Sequence, residues 1–213
     1  MAWRMLMRRS PNRWMTLVGD VAQTSSPAGV DAWGDALSPY VDDRWVHCEL
    51  TVNYRTPATV AAVAELLLAE IDPAATSPRT VRPGRREVAW LEPEPGAVPR
   101  VVAEEAGAVA PERTFAVLLP DGVGRAPVVD ALAATRPDAV VLPMSQAKGL
   151  EFDTVVVVDP DGVLTRSPQG LQDLYVGATR ATQELVLIQP GGFGPLLAGI
   201  RDALGAGGRE LIA

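Results

Sequence analysis

Short, uninterrupted runs of apolar residues are the feature of this sequence that most restricts its fold. The clearest is T-V-V-V-V at 154–158, and similar runs occupy 114–119, 139–142 and 184–188. Strands that are apolar at every position are buried on both faces, which is typical of parallel sheets covered by helices. Segments with helical periodicity separate these runs. The sequence therefore predicts an α/β fold with a mostly parallel sheet flanked by helices.

Composition narrows the class of protein. The chain has 213 residues, 47% of them hydrophobic, and no apolar run approaches the roughly 20 residues that span a bilayer. The net charge of −7 argues against a broad basic face for nucleic acid, although a local basic groove stays open. A single cysteine, Cys48, excludes a disulfide framework and a cysteine zinc site. We expect a cytoplasmic protein without a metal site.

The amino-terminal region is predicted to contain short elements joined by turn-rich chain. A helix ends near Arg9, a strand covers 14–18, and a connector with a short helix at 30–37 follows. A second strand at 45–52 is expected to bury the thiol of Cys48 as an inert core group. One strand and one helix cannot close a core alone, so this region is expected to be the tail of a larger unit.

Two proline-containing pairs predict helix starts. Thr56 would be the N-cap with Pro57 at the first helical position, and Ser167 and Pro168 repeat the pattern. Apolar residues after the first pair recur at helical spacing and predict a buried face of Val60, Val63, Ala64 and Leu67. The other predicted elements are helices at 127–135 and 196–204, a strand at 87–91, and either a strand at 99–103 or a helix at 103–109.

Four short polar segments stand at the ends of predicted strands or helices. They are G-D-V-A-Q (19–23), N-Y-R-T-P (53–57), K-G-L-E-F-D (148–153) and L-Y-V-G-A-T-R-A (174–181). Each alone has an ordinary explanation, such as a turn, a solvated arginine or a helix cap. In open α/β sheets, however, ligands bind outside the carboxyl ends of the strands. We therefore expect Lys148, Gly149 and Glu151, which follow such an end, to face a cleft.

In this order and combination, the four segments resemble the third to sixth motifs of superfamily 1 helicases of the UvrD/Rep type. The resemblance covers residues 14–188. It implies a RecA-like fold of the P-loop NTPase type. It also implies an ATP-dependent helicase or ATPase activity for the complete motor, with ATP and magnesium as cofactors.

The resemblance implies catalytic roles for three residues. Gln23 would sense the γ-phosphate and its attacking water, whereas Arg55 and Arg180 would reach the γ-phosphate across an interdomain cleft. Phosphoryl transfer needs positioning and neutralisation of negative charge more than covalent chemistry. Arginine suits this task because its guanidinium group is permanently charged and can bond in a bidentate manner.

Three further residues would bind the nucleotide by the same resemblance. Tyr54 would stack on the adenine, Glu151 would hydrogen-bond the ribose, and Gly149 would allow close approach of the backbone. No G-x-x-x-x-G-K-[ST] phosphate loop occurs in the sequence, and the acidic segment that holds magnesium in the family is also absent. We therefore expect ATP and magnesium to be held mainly by an upstream domain, and the chain alone to be inactive.

The resemblance also divides the chain and suggests a branch of the family. Residues 1–40 would be the remnant of the first RecA-like domain, and 41–213 the second. T-S-S-P at 24–27 replaces an aromatic stretch of the family's motifs, and Ser145 replaces a histidine. Both departures fall at positions that contact nucleic acid in the family. The flanking letters R-R-S-P-N and Q-T-S-S-P are most similar to the HelD-type branch, which acts on RNA polymerase. Expected partners are the rest of the motor and DNA or RNA polymerase, without a membrane.

Three functional readings stay open on the sequence. The chain is the carboxyl-terminal half of an ATP-driven motor, a truncated non-catalytic module that binds protein or senses nucleotide, or a degenerate remnant without a site. His47, the only histidine, lies in a predicted strand and offers no general base. No function is predicted for residues 73–110.

Overall fold

The described residues form an α/β fold. The computed structural model describes residues 2–12, 14–23, 30, 32–84 and 86–205. Their helices are α1 (Ala2–Arg9), α2 (Trp33–Val41), α3 (Ala58–Ile71), α4 (Val98–Gly107), α5 (Ala126–Leu132), α6 (Pro160–Arg166), α7 (Gly170–Ala178) and α8 (Pro195–Ala203). Their strands are β1 (Val52–Asn53), β2 (Arg79–Thr80), β3 (Ala89–Leu91), β4 (Phe115–Leu119), β5 (Val140–Pro143), β6 (Phe152–Val158) and β7 (Ala181–Ile188). None of these helices is long and apolar enough to cross a bilayer.

The main sheet has five strands in the order β3-β7-β6-β4-β5, and every neighbouring pair is parallel. β6 lies at the centre, where Val155, Val156 and Val157 are fully buried. The predicted parallel sheet, apolar on both faces, is confirmed. A separate parallel pair joins β1 and β2, with Val52 opposite Arg79.

Successive valines of β6 point to opposite faces of the sheet and so belong to different cores. Val155 and Val157 pack in a first core with residues of α3, α6, α7 and α8. Val156 and Val158 pack in a second core with residues of α4 and α5. The helices α3 and α7, which adjoin the predicted site, thus share one face of the sheet.

The amino-terminal region packs as a small cluster of its own. Its buried residues are Ala36, Leu37 and Val41 of α2, against which partly buried side chains of α1 and neighbouring segments pack. The short 3₁₀ helix Val21–Gln23 contacts α7 and so joins this region to the main sheet. The assignment of residues 1–40 to a first RecA-like domain stays a prediction. The predicted connector includes 24–29 and 31, which lie outside the described residues.

Two predicted strands in the amino-terminal quarter are wrong. Residues 14–18 are irregular, with Trp14 and Val18 more than 80% exposed. Of the predicted strand 45–52, only Val52 lies in an observed strand, β1. Cys48 is accordingly exposed rather than buried. The physical reason is that the described chain supplies no neighbouring strand to cover these apolar residues, so their apolar character alone could not bury them.

The predicted helix starts are shifted by local contacts. α3 begins at Ala58, with Pro57 in the N-cap position and no side-chain cap bond, and the hydroxyl of Thr56 is buried without a partner. The predicted inner face of α3 is buried as expected. Ser167 ends α6 rather than starting α7, and α6 itself, capped by the Asp159 carboxylate, was not predicted. The ambiguous segment near residue 100 is helical, as α4.

Asp153, the last residue of the K-G-L-E-F-D segment, fastens β6 to the start of β4. Its Oδ2 accepts from both the N–H and the hydroxyl of Thr114 at 2.9 Å. The Asp153 N–H in turn donates to the Thr114 hydroxyl at 2.8 Å. Burial opposes ionisation, but the hydrogen bonds from Thr114, together with the nearby charge of Arg113, outweigh it, so the pKa of Asp153 is lowered from its ordinary value. This carboxylate therefore has a structural task.

We expect Asp153→Asn to remove an acid-dependent part of the stability. Because the folded-state pKa of Asp153 is depressed, its contribution is complete above the unfolded pKa and is lost as pH falls through the folded pKa. In urea unfolding, the variant should be less stable than the wild type at neutral pH, and the gap should close in acid. Asp130→Asn, at an exposed position on α5, is the control. A gap that is independent of pH would contradict this account.

Candidate functional site

The K-G-L-E-F-D and T-R-A segments meet at the amino-terminal edge of the sheet. Glu151 directly precedes β6, and Arg180 directly precedes its parallel neighbour β7. This corrects the expectation that Glu151 faces a cleft at the carboxyl edge. Residues 144–151 do leave the carboxyl end of β5, but they run back over the sheet beside α7. A Cβ on Gly177 of that helix would come within 2.5 Å of the Met144 sulfur.

At the carboxyl edge of the sheet, polar side chains form hydrogen bonds with other residues of the chain. The side chain of Gln189 donates to Asp159 Oδ1 at 3.1 Å and accepts from the Asp161 N–H at 3.0 Å. The Ser145 hydroxyl donates to Asp121 at 2.7 Å. The residues that the sequence predicted for the site, Gln23, Arg55, Glu151 and Arg180, lie together at the amino-terminal edge, which is therefore the candidate site.

Arg180 is the most deeply buried charged side chain of this site, with 4% of its surface exposed. Its Nε donates to the Val176 carbonyl at 3.0 Å, and its Nη1 to the Leu150 carbonyl at 3.4 Å. Its Nη2 donates to the Thr179 hydroxyl at 3.1 Å and to Gln23 Oε1 at 3.5 Å. One guanidinium group thus connects the end of α7, the loop before β6 and the amino-terminal region.

Arg55 reaches the same place from the loop that precedes α3. Its Nη1 donates to Glu151 Oε1 at 2.6 Å in an ion pair whose side chains are 40% and 50% exposed. Its Nη2 donates to the Thr179 carbonyl at 3.4 Å. Thr179 therefore contacts both arginines, through its carbonyl and through its hydroxyl. Arg55, Glu151 and Arg180 lie together, whereas the roles assigned to them stay predictions.

Gln23 is held at the site by two neighbours. Its side-chain amide donates to Asp20 Oδ2 at 2.9 Å, and its backbone carbonyl accepts from Lys148 Nζ at 2.9 Å. Asp20 also accepts from the Ala22 N–H at 3.0 Å, which closes an Asx-type turn. The amide of Gln23 is therefore fixed next to the guanidinium of Arg180.

Burial and neighbouring charges shift the pKa of two groups of the site, Arg180 and Tyr175. Burial, and then the neighbouring charge of Arg55, lower the pKa of Arg180, although Glu151, Tyr175 and Asp20 act in the opposite direction. Burial also raises the pKa of Tyr175, and Asp20 raises it further. A poorly solvated cation beside a second cation is stabilised by any negative group that binds between them.

Tyr54 and Gly149 border this cluster. The Tyr54 ring is 74% exposed beside Arg55, so it does not serve the core. Gly149 has φ +83°, and no atom lies within 4 Å of the position that a Cβ would occupy. Glycine is thus favoured by the backbone conformation rather than by crowding inside the chain. Stacking of Tyr54 on adenine and approach of Gly149 to a ribose stay predictions.

Three residues that form hydrogen bonds within the site were given no catalytic or binding role by the sequence analysis. They are Asp20, Lys148 and Thr179. The spacing of Asp20 from Gln23 is a recognisable turn signal. Lys148 and Thr179 lie inside the polar segments, but their partners could not be read from spacing. The Lys148 contact joins residues 125 positions apart, and the Thr179 contacts depend on how α7 ends.

Comparison with known proteins supports the resemblance for part of the chain. Residues 138–188 match the family model of the UvrD-like helicase C-terminal domain. This span includes Gly149, Glu151 and Arg180 but covers less than half of the chain. A comparison with curated protein sequences found no match.

A solved structure supports the fold over a longer span. It is described as the C-terminal domain of a possible DNA helicase from Lactobacillus plantarum WCFS1, and it matches with a TM-score of 0.56 at 24% identity. The alignment covers 71% of this chain and 96% of that chain. The predicted parallel α/β fold, consistent with a RecA-like helicase C-terminal domain, is confirmed. At this identity the likeness shows the fold alone, and neither comparison distinguishes the HelD-type branch.

We expect the buried and exposed members of the site to differ in their effect on stability. Arg180→Ala leaves buried acceptors without a donor and should lower the free energy of unfolding by about 1–3 kcal/mol. Glu151→Gln breaks a half-exposed ion pair and should lower it by less than about 1 kcal/mol. Urea unfolding of the chain measures both losses. A larger loss for Glu151→Gln would contradict the buried position of Arg180.

Proposed function

We propose that this chain supplies the second RecA-like domain of an ATP-driven, helicase-type motor. In this proposal Arg55 and Arg180 act as arginine fingers on a nucleotide held largely by a neighbouring phosphate-loop domain. The observation that carries it is the convergence of both guanidinium groups on Thr179, at 3.4 and 3.1 Å. The similarity of residues 138–188 to the UvrD-like helicase C-terminal domain supports the class of motor.

The chemistry of the cluster supports this proposal. A transferring phosphoryl group carries negative charge spread over several oxygens, and catalysis consists mainly of positioning and neutralising that charge. Two guanidinium groups supply permanent positive charge from different directions. We propose that the amide of Gln23, which lies 3.5 Å from Arg180, orients a water molecule beside them.

ATP and Mg²⁺ fit this arrangement, because the site offers two adjacent cations and a carboxylate acceptor. Bound Mg²⁺ would neutralise phosphate oxygens, and we propose that the phosphate-loop domain holds it. The proposed contacts are Gln23, Arg55 and Arg180 to the γ-phosphate, Tyr54 to the adenine, and Glu151 with Gly149 to the ribose.

The ion pair between Arg55 and Glu151 can exchange partners when nucleotide binds. Because both side chains are about half exposed, such a pair contributes about 0–1 kcal/mol. Arg55 can therefore leave Glu151 for a phosphate oxygen at little cost. Glu151 then becomes available as an acceptor for ribose hydroxyls. Closure of the cleft would thus depend on nucleotide, which is the basis of a motor stroke.

We propose RNA polymerase as the macromolecule on which the motor acts, with DNA as the alternative. The HelD-like letters around the third segment and the net charge of −7 support polymerase. The description of the solved relative as a possible DNA helicase favours DNA. A truncated non-catalytic module that binds protein or senses nucleotide is a further alternative, and it predicts no ATP turnover in any assembly.

We expect no ATPase activity from the chain alone. In an assembly that includes the phosphate-loop domain, Arg55→Ala and Arg180→Ala should each lower kcat by roughly 10³-fold or more, because each removes a finger. Arg100→Ala is the matched control, since Arg100 pairs with Glu104 on α4, on the opposite face of the sheet. Turnover by the chain alone, or an unchanged kcat for Arg55→Ala, would contradict the proposal.

A binding experiment separates the two macromolecular substrates. Capture of RNA polymerase and binding of single-stranded DNA are compared at about 50 and 200 mM salt, because contacts to phosphates weaken steeply over this range. We expect polymerase capture at both concentrations and loss of DNA at the higher one. Retention of DNA at the higher salt, without polymerase capture, would favour a DNA translocase.

A further inference from the structure

We propose that Arg82 and Asn53 are positioning residues for Arg55, because their side chains hold both backbone hydrogen-bonding groups of that residue. The proposal rests on the role proposed above for Arg55. Arg82 lies just after β2, within the stretch 73–110 for which the sequence predicted no function. The proposal therefore assigns a role at the site to part of that stretch.

The backbone of Arg55 is fixed on both sides. Asn53 Oδ1 accepts from the Arg55 N–H at 3.0 Å and from the Thr56 N–H at 3.1 Å. Arg82 Nη1 donates to the Arg55 carbonyl at 2.8 Å. Backbone groups of a surface loop are ordinarily solvated, whereas here two side chains replace water at the donor and the acceptor of one residue.

A ladder of bonds keeps Arg82 in register with the loop that carries Arg55. The Val81 N–H donates to the Asn53 carbonyl at 3.1 Å, continuing the β1–β2 pair. The Arg82 carbonyl accepts from the N–H of Ala58, the first residue of α3, at 2.9 Å. The loop between β1 and α3 is therefore fastened to β2 at both of its ends.

These backbone hydrogen bonds matter because the side chain of Arg55 forms few hydrogen bonds of its own. Its Nη atoms reach Glu151 and Thr179, while its Nε is buried without a hydrogen-bond partner. A strand pair of two residues each is marginal by itself. A displacement of the finger by about 1 Å can lower a rate by roughly 10²-fold. The backbone bonds to Asn53 and Arg82 therefore set where the guanidinium of Arg55 lies.

The first test uses this chain alone and measures the solvent protection of the Arg55 side chain. The Nε–H signal of Arg55 in a ¹H–¹⁵N spectrum is assigned by its loss in Arg55→Ala, and its hydrogen exchange with solvent is measured. Arg82→Ala and Asn53→Ala should each accelerate that exchange about tenfold, because the loop no longer holds the buried Nε in place. Arg82→Lys, which can still donate to the carbonyl, should restore part of the protection. Arg79→Ala, an exposed position on the same short strand, is the matched control.

The second test uses the assembly with the phosphate-loop domain. Arg82→Ala should lower kcat for ATP hydrolysis about tenfold with little change in KM, because a misplaced finger weakens transition-state contacts rather than substrate binding. In an Arg55→Ala background, Arg82→Ala should have no further effect on kcat. A purely structural role for Arg82 would instead give additive losses.

The two tests fail in distinguishable ways. Exchange of the Arg55 Nε–H that stays within about twofold of wild type in Arg82→Ala would overturn the positioning role. Additive effects of Arg55→Ala and Arg82→Ala on kcat would overturn it as well. An unchanged kcat for Arg55→Ala alone would overturn the proposed function, and the exchange data would then decide the positioning role by themselves.

Discussion

The buried guanidinium of Arg180 is the interaction on which the rest of the site depends. A charge removed from water is tolerated only when its donors are satisfied, and each terminal nitrogen of Arg180 has an acceptor from a different part of the chain. The backbone carbonyl of the same residue accepts from the N–H of Phe152 at 3.0 Å, at the first pair of β6 and β7 and just before a shift in their register. The loop before β6, the end of α7 and the turn at Gln23 are consequently positioned by one side chain.

The two edges of the sheet differ in what their polar groups do. At the carboxyl edge, acidic and amide side chains cap helices and bind one another, as Asp159 and Gln189 do. At the amino-terminal edge, arginine, lysine and glutamine side chains converge from segments distant in sequence. A domain that bound a nucleotide by itself would use the first edge. Cations at the second edge suit a domain that acts on a nucleotide bound by a neighbour.

The sequence predicted the structure best where an element depends on local interactions, or where every residue of a segment favours the same element. The valine run of β6 could belong only to a strand buried on both faces, and the inner face of α3 followed from its spacing. The sequence was misleading where burial depends on a neighbour: residues 14–18 are mostly apolar, as a core strand is, yet no described strand pairs with them. The convergence of Arg55 with Arg180 could be expected only from the resemblance. The contacts of Lys148, Thr179 and Arg82 require the tertiary structure, because no local pattern encodes them.

The β1–β2 pair gives the two arginines different freedom of movement. Arg180 is buried where the central strands β6 and β7 begin, and hydrogen bonds from its guanidinium to Val176 and Leu150 hold it there. Arg55 is mounted on a ladder of two residues per strand, which can open locally while the five-stranded sheet stays intact. One guanidinium is therefore held by the main sheet, whereas the other is held by a short strand pair that can open separately. A protease or a binding protein that contacts the loop at Tyr54 would displace Arg55 and leave Arg180 in place.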